Sequence, residues 1–214
     1  MKVLVFDTET TGLGPSRKVN YDEIDKWPHI VQLSAVLYDT EKSELVDVMD
    51  DIIKMEEGVM IPEESTRVHS ITNEMSRDNG ITMKESMLHF ITMYEECNMH
   101  IGHNIGFDVN MVLVELERLS YPNIFKTHKS IQYCTMSLGM NITKLPKINK
   151  RTRGQYKYPK LIELYEKLFN ELPKNLHNSM VDVLCTFRCF YKMYFNQDIF
   201  YKDVSIKDYI EKLC

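Results

Sequence analysis

Apolar positions crowd the start of the chain and stop abruptly at two acids. "KVLVF" (2–6) is short, β-branched and continuous, the pattern of a buried strand. "HIVQLSAVLYD" (29–39) and "ELVDVMDDII" (44–53) predict two more strands, and the polar "DTEKSE" between them predicts a hairpin turn. The pattern then changes period. "TMKESMLHFITMYEEC" (82–97) reads as a helix and "NMHIGH" (98–103) as a short strand. "FDVNMVLVELERL" (107–119) carries apolar residues at 109, 112, 113 and 116, a helical stripe. "SIQYCTM" (130–136) predicts a last strand, followed by helices over "YPKLIELYEKLF" (158–169) and "NSMVDVLCTFRCFYKMYF" (178–195) and a short closing helix in the tail. In the long helix Val183, Leu184, Phe187, Phe190, Tyr191 and Tyr194 share one face and read as core. Strands first, then strands alternating with helices, predict a mixed α/β sheet flanked by helices. No linker or repeat divides the chain, so 1–214 reads as a single domain.

Composition changes this picture little. The chain has 214 residues, 43% hydrophobic and 27% charged, with a formal net charge of −5. That is ordinary globular composition, without the basic coat of a protein that grips long nucleic acid over its whole surface. No stretch approaches the ~18 consecutive apolar residues of a membrane span, and "MKVLVFDTE" reaches acids too soon for a signal peptide. The five cysteines, at 97, 134, 185, 189 and 214, form no CxxC. They read as small buried thiols of a reducing compartment, so an intracellular location, cytoplasmic or nuclear, is expected.

The candidate chemistry lies where elements end. Asp7 and Glu9 are two apart at the end of the first strand, so they point to one side. Either they sit in water at a strand end, or they hold a cation. Asp108 opens the helix after "IGHNIGF", where it complements the helix dipole or supplies a third ligand. His177 and Asp182 are five apart, about 140° around a continuous helix. With Asn178 as the N-cap, His177 falls on the loop and the two can converge. Four acids and a histidine beside element ends suit divalent cations, because hard ions such as Mg²⁺ take carboxylate and water oxygens. Two ions ~3.5–4 Å apart need such a cluster.

"FDTETTGL", "HNIGFD" and H-x₄-D, in that order over positions 6 to 182, resemble the motifs of the DEDDh exonucleases. That family includes the proofreading exonuclease subunit of bacterial DNA polymerase III, ribonuclease T and oligoribonuclease. "RVHSIT" (67–72) resembles a Val-His-Gly-Ile-Thr segment of many members, with Ser70 where Gly is usual, and Cys134-Thr135 replaces a frequent Asp-Thr. The resemblance implies a ribonuclease H-like fold, a five-stranded mixed sheet with helices on both faces. It implies 3′→5′ hydrolysis of nucleic acid ends to nucleoside 5′-monophosphates, with two Mg²⁺ or Mn²⁺ ions. Asp7, Glu9, Asp108 and Asp182 would be the metal ligands, Asp7 bridging both ions, and His177 the general base. Thr8, Thr10, Thr11, Gly12 and Leu13 would hold the terminal nucleotide, Leu13 as a wedge, and the loop carrying His103, Asn104 and Phe107 suits its sugar and base as well as it suits simple packing. Single-stranded 3′ ends are the expected partner, and the family admits a polymerase or repair partner. DNA and RNA stay open as substrates, since contacts to the 2′-OH decide; "DTETTGL" leans toward the proofreading branch. A non-catalytic binding module on the same fold is the remaining alternative.

Two segments stand outside the motifs. Residues 144–160 contain seven Lys or Arg and no acid. They read either as a solvated loop or as a phosphate-tracking arm, with Lys150, Arg151 and Arg153 as its centre and Tyr156 and Tyr158 as stacking surfaces. The insert "GPSRKVNYDEIDKWP" (14–28) is expected to border the 3′-end pocket, with Trp27, the only tryptophan, either packed or stacked on a base.

Overall fold

The computed structural model describes residues 1–147, 156–173 and 178–213. Its centre is a five-stranded sheet in the order β3-β2-β1-β4-β5. The strands are β1 (Lys2–Thr10), β2 (Ile30–Asp39), β3 (Glu44–Ile52), β4 (Met99–Gly102) and β5 (Ile131–Cys134). β1, β2 and β3 pair antiparallel, while β4 joins β1 and β5 joins β4 in parallel. The mixed sheet and the β2–β3 hairpin therefore match expectation. β1 is longer than its apolar run: pairing with β2 continues through Asp7 and Glu9 to Thr10, with an irregular register between Glu9 and Thr10. β2 is buried at all ten positions rather than on alternate ones, because helices cover both of its faces.

Strand parity sorts the core. Leu4, Phe6, Leu33, Ala35 and Leu37 pack against α3 (Met83–Glu96) and α4 (Gly106–Arg118). Val3, Val5, Val36 and Tyr38 face the other way, against α8 (Ser179–Phe195) and α9 (Val204–Leu213). Asp7 and Glu9 continue the Val3–Val5 row and so point to the α8 side, while Thr8 points toward α4. α3 begins with a reciprocal capping box between Thr82 and Glu85. Most of the predicted α8 stripe is buried. Tyr194 is the exception at 47% exposed, because it lies near the end of α8 over Tyr133 of the edge strand β5.

Short helices add detail that the pattern did not predict: α1 (Glu63–His69), α2 (Asn73–Asn79), α5 (Ile124–Thr127) and α6 (Thr135–Thr143). α6 takes over the end of the predicted last strand. α7 (Leu161–Phe169) runs into α8 as expected. The insert folds into a 3-10 turn at Tyr21–Lys26. Trp27 is 3% exposed and belongs to the core, so it packs and does not present a stacking face. Its ring lies so close to Gly14 that a Cβ there would meet ring carbon at 2.4 Å, which only glycine avoids. Among the described residues, no helix is long and apolar enough to cross a membrane.

Candidate active site

The site grows from the end of β1. Two elements deliver side chains to it, and each is fastened by hydrogen bonds. α8 starts at the N-cap Asn178, whose side chain accepts from Val181 N–H. The next residue, Ser179, donates its hydroxyl to the Asp7 carbonyl at 2.8 Å and its N–H to the Gln32 amide oxygen at 3.2 Å. Gln32 sits opposite Glu9 on β2 and is itself held by Asp50, which accepts from Gln32 Nε2 and from Ser34 Oγ, both at 2.7 Å. The start of α8 is thus pinned to β1 and β2. Asp182, in its first turn, comes to the two strand acids: carboxylate oxygens of Asp7, Glu9 and Asp182 all lie within 4.8 Å of one another.

Asp108 arrives from the opposite side, in the first turn of α4. It is 3% exposed, and one of its oxygens accepts both the N–H (3.1 Å) and the hydroxyl (2.8 Å) of Thr8. It stands outside the group of three, yet the Asp7 charge acts on it.

Asp7, Glu9 and Asp108 all stand above the ordinary carboxylate range. Burial pushes Asp7 up to about 7, opposed by the Ser179 hydroxyl. Burial, then the charges of Asp7 and Asp182, push Glu9 up to about 9. Burial and Asp7 hold Asp108 well above the usual carboxylate range. Acids packed in this way repel one another unless protons or metal ions neutralise them. An all-oxygen donor set is what Mg²⁺ or Mn²⁺ prefers, so the residues present fit a divalent metal.

The family model described as exonuclease, RNase_T, matches residues 4–190. The chain belongs to this exonuclease family. Solved structures agree in fold. Exonuclease I, in the structure described as suggesting how processivity is achieved, superposes with a TM-score of 0.70 at 17% identity, over 94% of this chain and 42% of that one. A moderately thermophilic exonuclease I from Methylocaldum szegediense gives 0.68 at 17% identity, over 94% and 42%. The zinc-bound E. coli exonuclease I–ssDNA complex gives 0.67 at 16% identity, over 97% and 42%. This chain thus spans about two-fifths of the length of those proteins. Among curated proteins, none matches the sequence. The ribonuclease H-like sheet and the DEDDh resemblance read from the sequence are both borne out.

In this exonuclease-family chain the turn after β1 is well defined. Thr10 Oγ1 donates to the Gly12 carbonyl at 2.6 Å. Thr11 exchanges two bonds with His29, N–H to carbonyl and N–H to hydroxyl, each 2.9 Å. Leu13 projects beyond them at 87% exposure. The hydroxyls of Thr8, Thr10 and Thr11 are therefore engaged within the protein. Both ring nitrogens of His103 are engaged too, with Thr135 Oγ1 and the Pro159 carbonyl, each at 3.0 Å, and burial lowers it to about 4. It ties β4 to the chain entering α7. Asn104 is exposed with φ 72°, and its carbonyl accepts from Phe107 N–H, which turns the chain into α4. Phe107 is half-buried against the core. His177, Lys150, Arg151 and Arg153 lie outside the described residues. Of the same basic tract, Lys157 is paired with Glu163.

Three residues around the acids had no role in the sequence reading. Ser179 and Gln32 hold α8 against β1, and the buried His69 ring lies against the Thr10 backbone carbonyl while its Nδ1 accepts from Ile71 N–H. The only sequence signal was the "RVHSIT" segment for His69. Gln32 is found only once the β1–β2 register sets it opposite Glu9.

Proposed function

We propose that this chain is a divalent-metal-dependent 3′→5′ exonuclease that trims single-stranded DNA and releases nucleoside 5′-monophosphates. The observation that carries the reading is the group of Asp7, Glu9 and Asp182, three carboxylates brought within 4.8 Å of one another in a chain of the exonuclease family. Support for single-stranded DNA comes from exonuclease I neighbours solved with a dT13 oligonucleotide and as a zinc-bound ssDNA complex. In this reading two Mg²⁺ or Mn²⁺ ions would be held by Asp7, Glu9, Asp182 and Asp108. Bound there, such ions supply a lowered pKa for water and charge stabilisation for a departing oxygen.

The chain's own residues divide the remaining work. Thr8 fixes the Asp108 carboxylate with two hydrogen bonds. Leu13, at the exposed tip of the turn, lies against the terminal base. His177, five residues before Asp182 in the sequence, takes the proton of the attacking water, for which an imidazole with an unperturbed pKa near 6.5 is suited.

The test uses matched DNA and RNA single strands, each labelled at its 5′ end, with Mg²⁺, Mn²⁺ or chelator. A ladder shortening from the 3′ end of DNA, present with metal and absent with chelator, is expected. A ladder on RNA alone would move the assignment to an RNA-trimming enzyme, and none on either strand would leave a binding module.

A further inference from the structure

α4 carries Asp108 on its inner side and meets the insert on its outer side. Between Glu9 and Asp22 the insert contains Arg17 and Lys18 and no acid. Both are exposed, and neither side chain is ion-paired within the described residues. This limb is not a loose loop. Asn110, two residues beyond Asp108, donates its side-chain amide to the Arg17 carbonyl at 3.0 Å. Trp27 is packed beneath Gly14. Arg118, at the far end of α4, donates to the carbonyls of Ile24 (3.2 Å), Trp27 (2.8 Å) and Pro28 (3.0 Å). The insert is thereby fastened to both ends of α4.

Along that outer side the helix and the insert border an open pocket of about 210 Å³, lined by Tyr21, Leu113, Leu116, Glu117, Tyr121, Asn123 and Lys126. Asn110, Leu113 and Glu117 follow one another at helical spacing, so the Arg17 attachment and the cavity share one stripe of α4. The cavity is smaller than the roughly 300–1,000 Å³ of an ordinary ligand cleft. Its chemistry is specific: two tyrosine rings, a lysine at the rim, and Asn123 and Glu117 as polar groups. Tyr21 is 46% exposed, while Tyr121 across the pocket packs in part against the core. Aromatic rings beside cations are what a single strand meets along its path: bases stack on the rings, and the phosphates sit by the positive charges.

We propose that this cavity is a subsite for one unpaired base of a nucleic acid strand upstream of the cleaved end. Tyr21 and Tyr121 supply the stacking surface, and Arg17, Lys18 and Lys126 the contacts to phosphate. The strand runs from the acids past Leu13, over the cationic limb of the insert and along the outer side of α4. Glu117, the one acid of the wall, faces the base edge, where it accepts from an exocyclic amine, and it disfavours a phosphate inside the cavity itself. The proposal rests on the exonuclease reading above and adds to it a second, non-catalytic contact that rewards longer strands.

The test is binding as a function of length. Fluorescence anisotropy with oligo-dT of three, five, eight and twelve nucleotides, in Ca²⁺ to suppress turnover, gives the ratio of dodecamer to trimer affinity. Base–aromatic stacking of about 1–3 kcal/mol per base corresponds to a roughly 5- to 150-fold fall in that ratio for Tyr21→Ala. Tyr21→Phe keeps the ring and should restore it. Arg17→Ala with Lys18→Ala should flatten the salt slope for the dodecamer by about 1.4. Equal losses on trimer and dodecamer would overturn the proposal by assigning Tyr21 to the end pocket or the fold, and an unchanged ratio would take the cavity off the strand's path. Hydrolysis of the labelled strands by the wild type separates the two readings: a wild type that trims DNA with no length preference loses only the subsite, whereas one that neither trims nor binds loses both.

Discussion

The amide oxygen of Gln32 accepts the N–H of Ser179 at 3.2 Å, joining strand β2 to the first residue of α8 across 147 positions of sequence. Gln32 is 3% exposed and its own NH₂ is held by Asp50. Asp182 lies one turn further along α8, so this contact sets how the third acid of the group meets Asp7 and Glu9. Gln32→Leu keeps the volume and removes both bonds, leaving the Ser179 N–H buried. The expected cost is about 1–3 kcal/mol of stability, read by urea denaturation, together with weaker Mn²⁺ binding measured by titration of the folded variant. Asp50→Asn, which keeps an acceptor for Gln32 Nε2, should lose much less Mn²⁺ affinity. Normal Mn²⁺ affinity in Gln32→Leu would confine Gln32 to a packing role.

The raised carboxylates make metal-free stability depend on pH in an unusual direction. Glu9 stands near 9 against an ordinary 4.5, and Asp7 near 7 against 3.8. In the pH window between those values the folded state holds protons that the unfolded chain releases, so stability falls as pH rises. Asp7 contributes its loss from about pH 4 to 7 and Glu9 from about 4.5 to 9. Melting temperatures in chelator should therefore drop between pH 5 and 9, and Mg²⁺, which stabilises the ionised carboxylates, should remove most of that slope. Glu9→Gln should flatten the metal-free slope and raise the melting temperature at pH 8. A metal-free profile with no descent above pH 5 would show that Glu9 is already neutralised by the protein.

Catalysis should separate the acids from the histidine. Asp7→Asn and Asp182→Asn remove carboxylates from the group that would hold the metal, so hydrolysis of a labelled strand is expected to vanish while the far-UV spectrum stays native. His177→Ala should lower the rate by ~10²–10⁴-fold, the usual scale for a lost general base, and abolish the ascending limb of the pH–rate profile near neutrality. Mn²⁺ affinity should change little. If His177→Ala lost Mn²⁺ binding and kept a normal rate at saturating metal, its role would be ligation.

What could be read in advance followed local periodicity. The β1 pattern fixed its own faces, so Asp7 and Glu9 on one side were predictable from alternation alone. The α8 stripe was predictable because six apolar residues repeat at helical spacing, although Tyr194 lies where the helix leaves the sheet. The helices α1, α2 and α5 span only four to seven residues, too few turns for a period to stand out, and α6 begins inside the apolar stretch that reads as the last strand. The anchoring of the site depends on long-range register, as Gln32 shows: nothing near it in the sequence points to Ser179.

Ser70 illustrates a local conformation whose cause becomes visible only with backbone angles. It caps α1 with φ 64° and ψ 3°, in the left-handed region, and its N–H donates to the Thr66 carbonyl at 2.7 Å. A glycine adopts this conformation freely, whereas a residue with a Cβ pays about 1–2 kcal/mol. The sequence thus keeps a strained cap at a position that glycine would occupy without that cost. Ser70→Gly should relieve the strain, partly offset by the greater freedom of glycine in the unfolded chain. The net gain expected is about 0.5–1 kcal/mol, a rise of roughly 1–4 °C in melting temperature for a chain of this size. Ser70→Val, β-branched at a positive φ, should lower it by more than that. The preceding residue is His69, whose ring lies against the end of β1, so the cap also sets the angle at which α1 meets the site. The KM for DNA should therefore be unchanged in Ser70→Gly and raised in Ser70→Val. A Ser70→Gly variant less stable than the wild type would mean that the serine hydroxyl contributes more than its backbone costs.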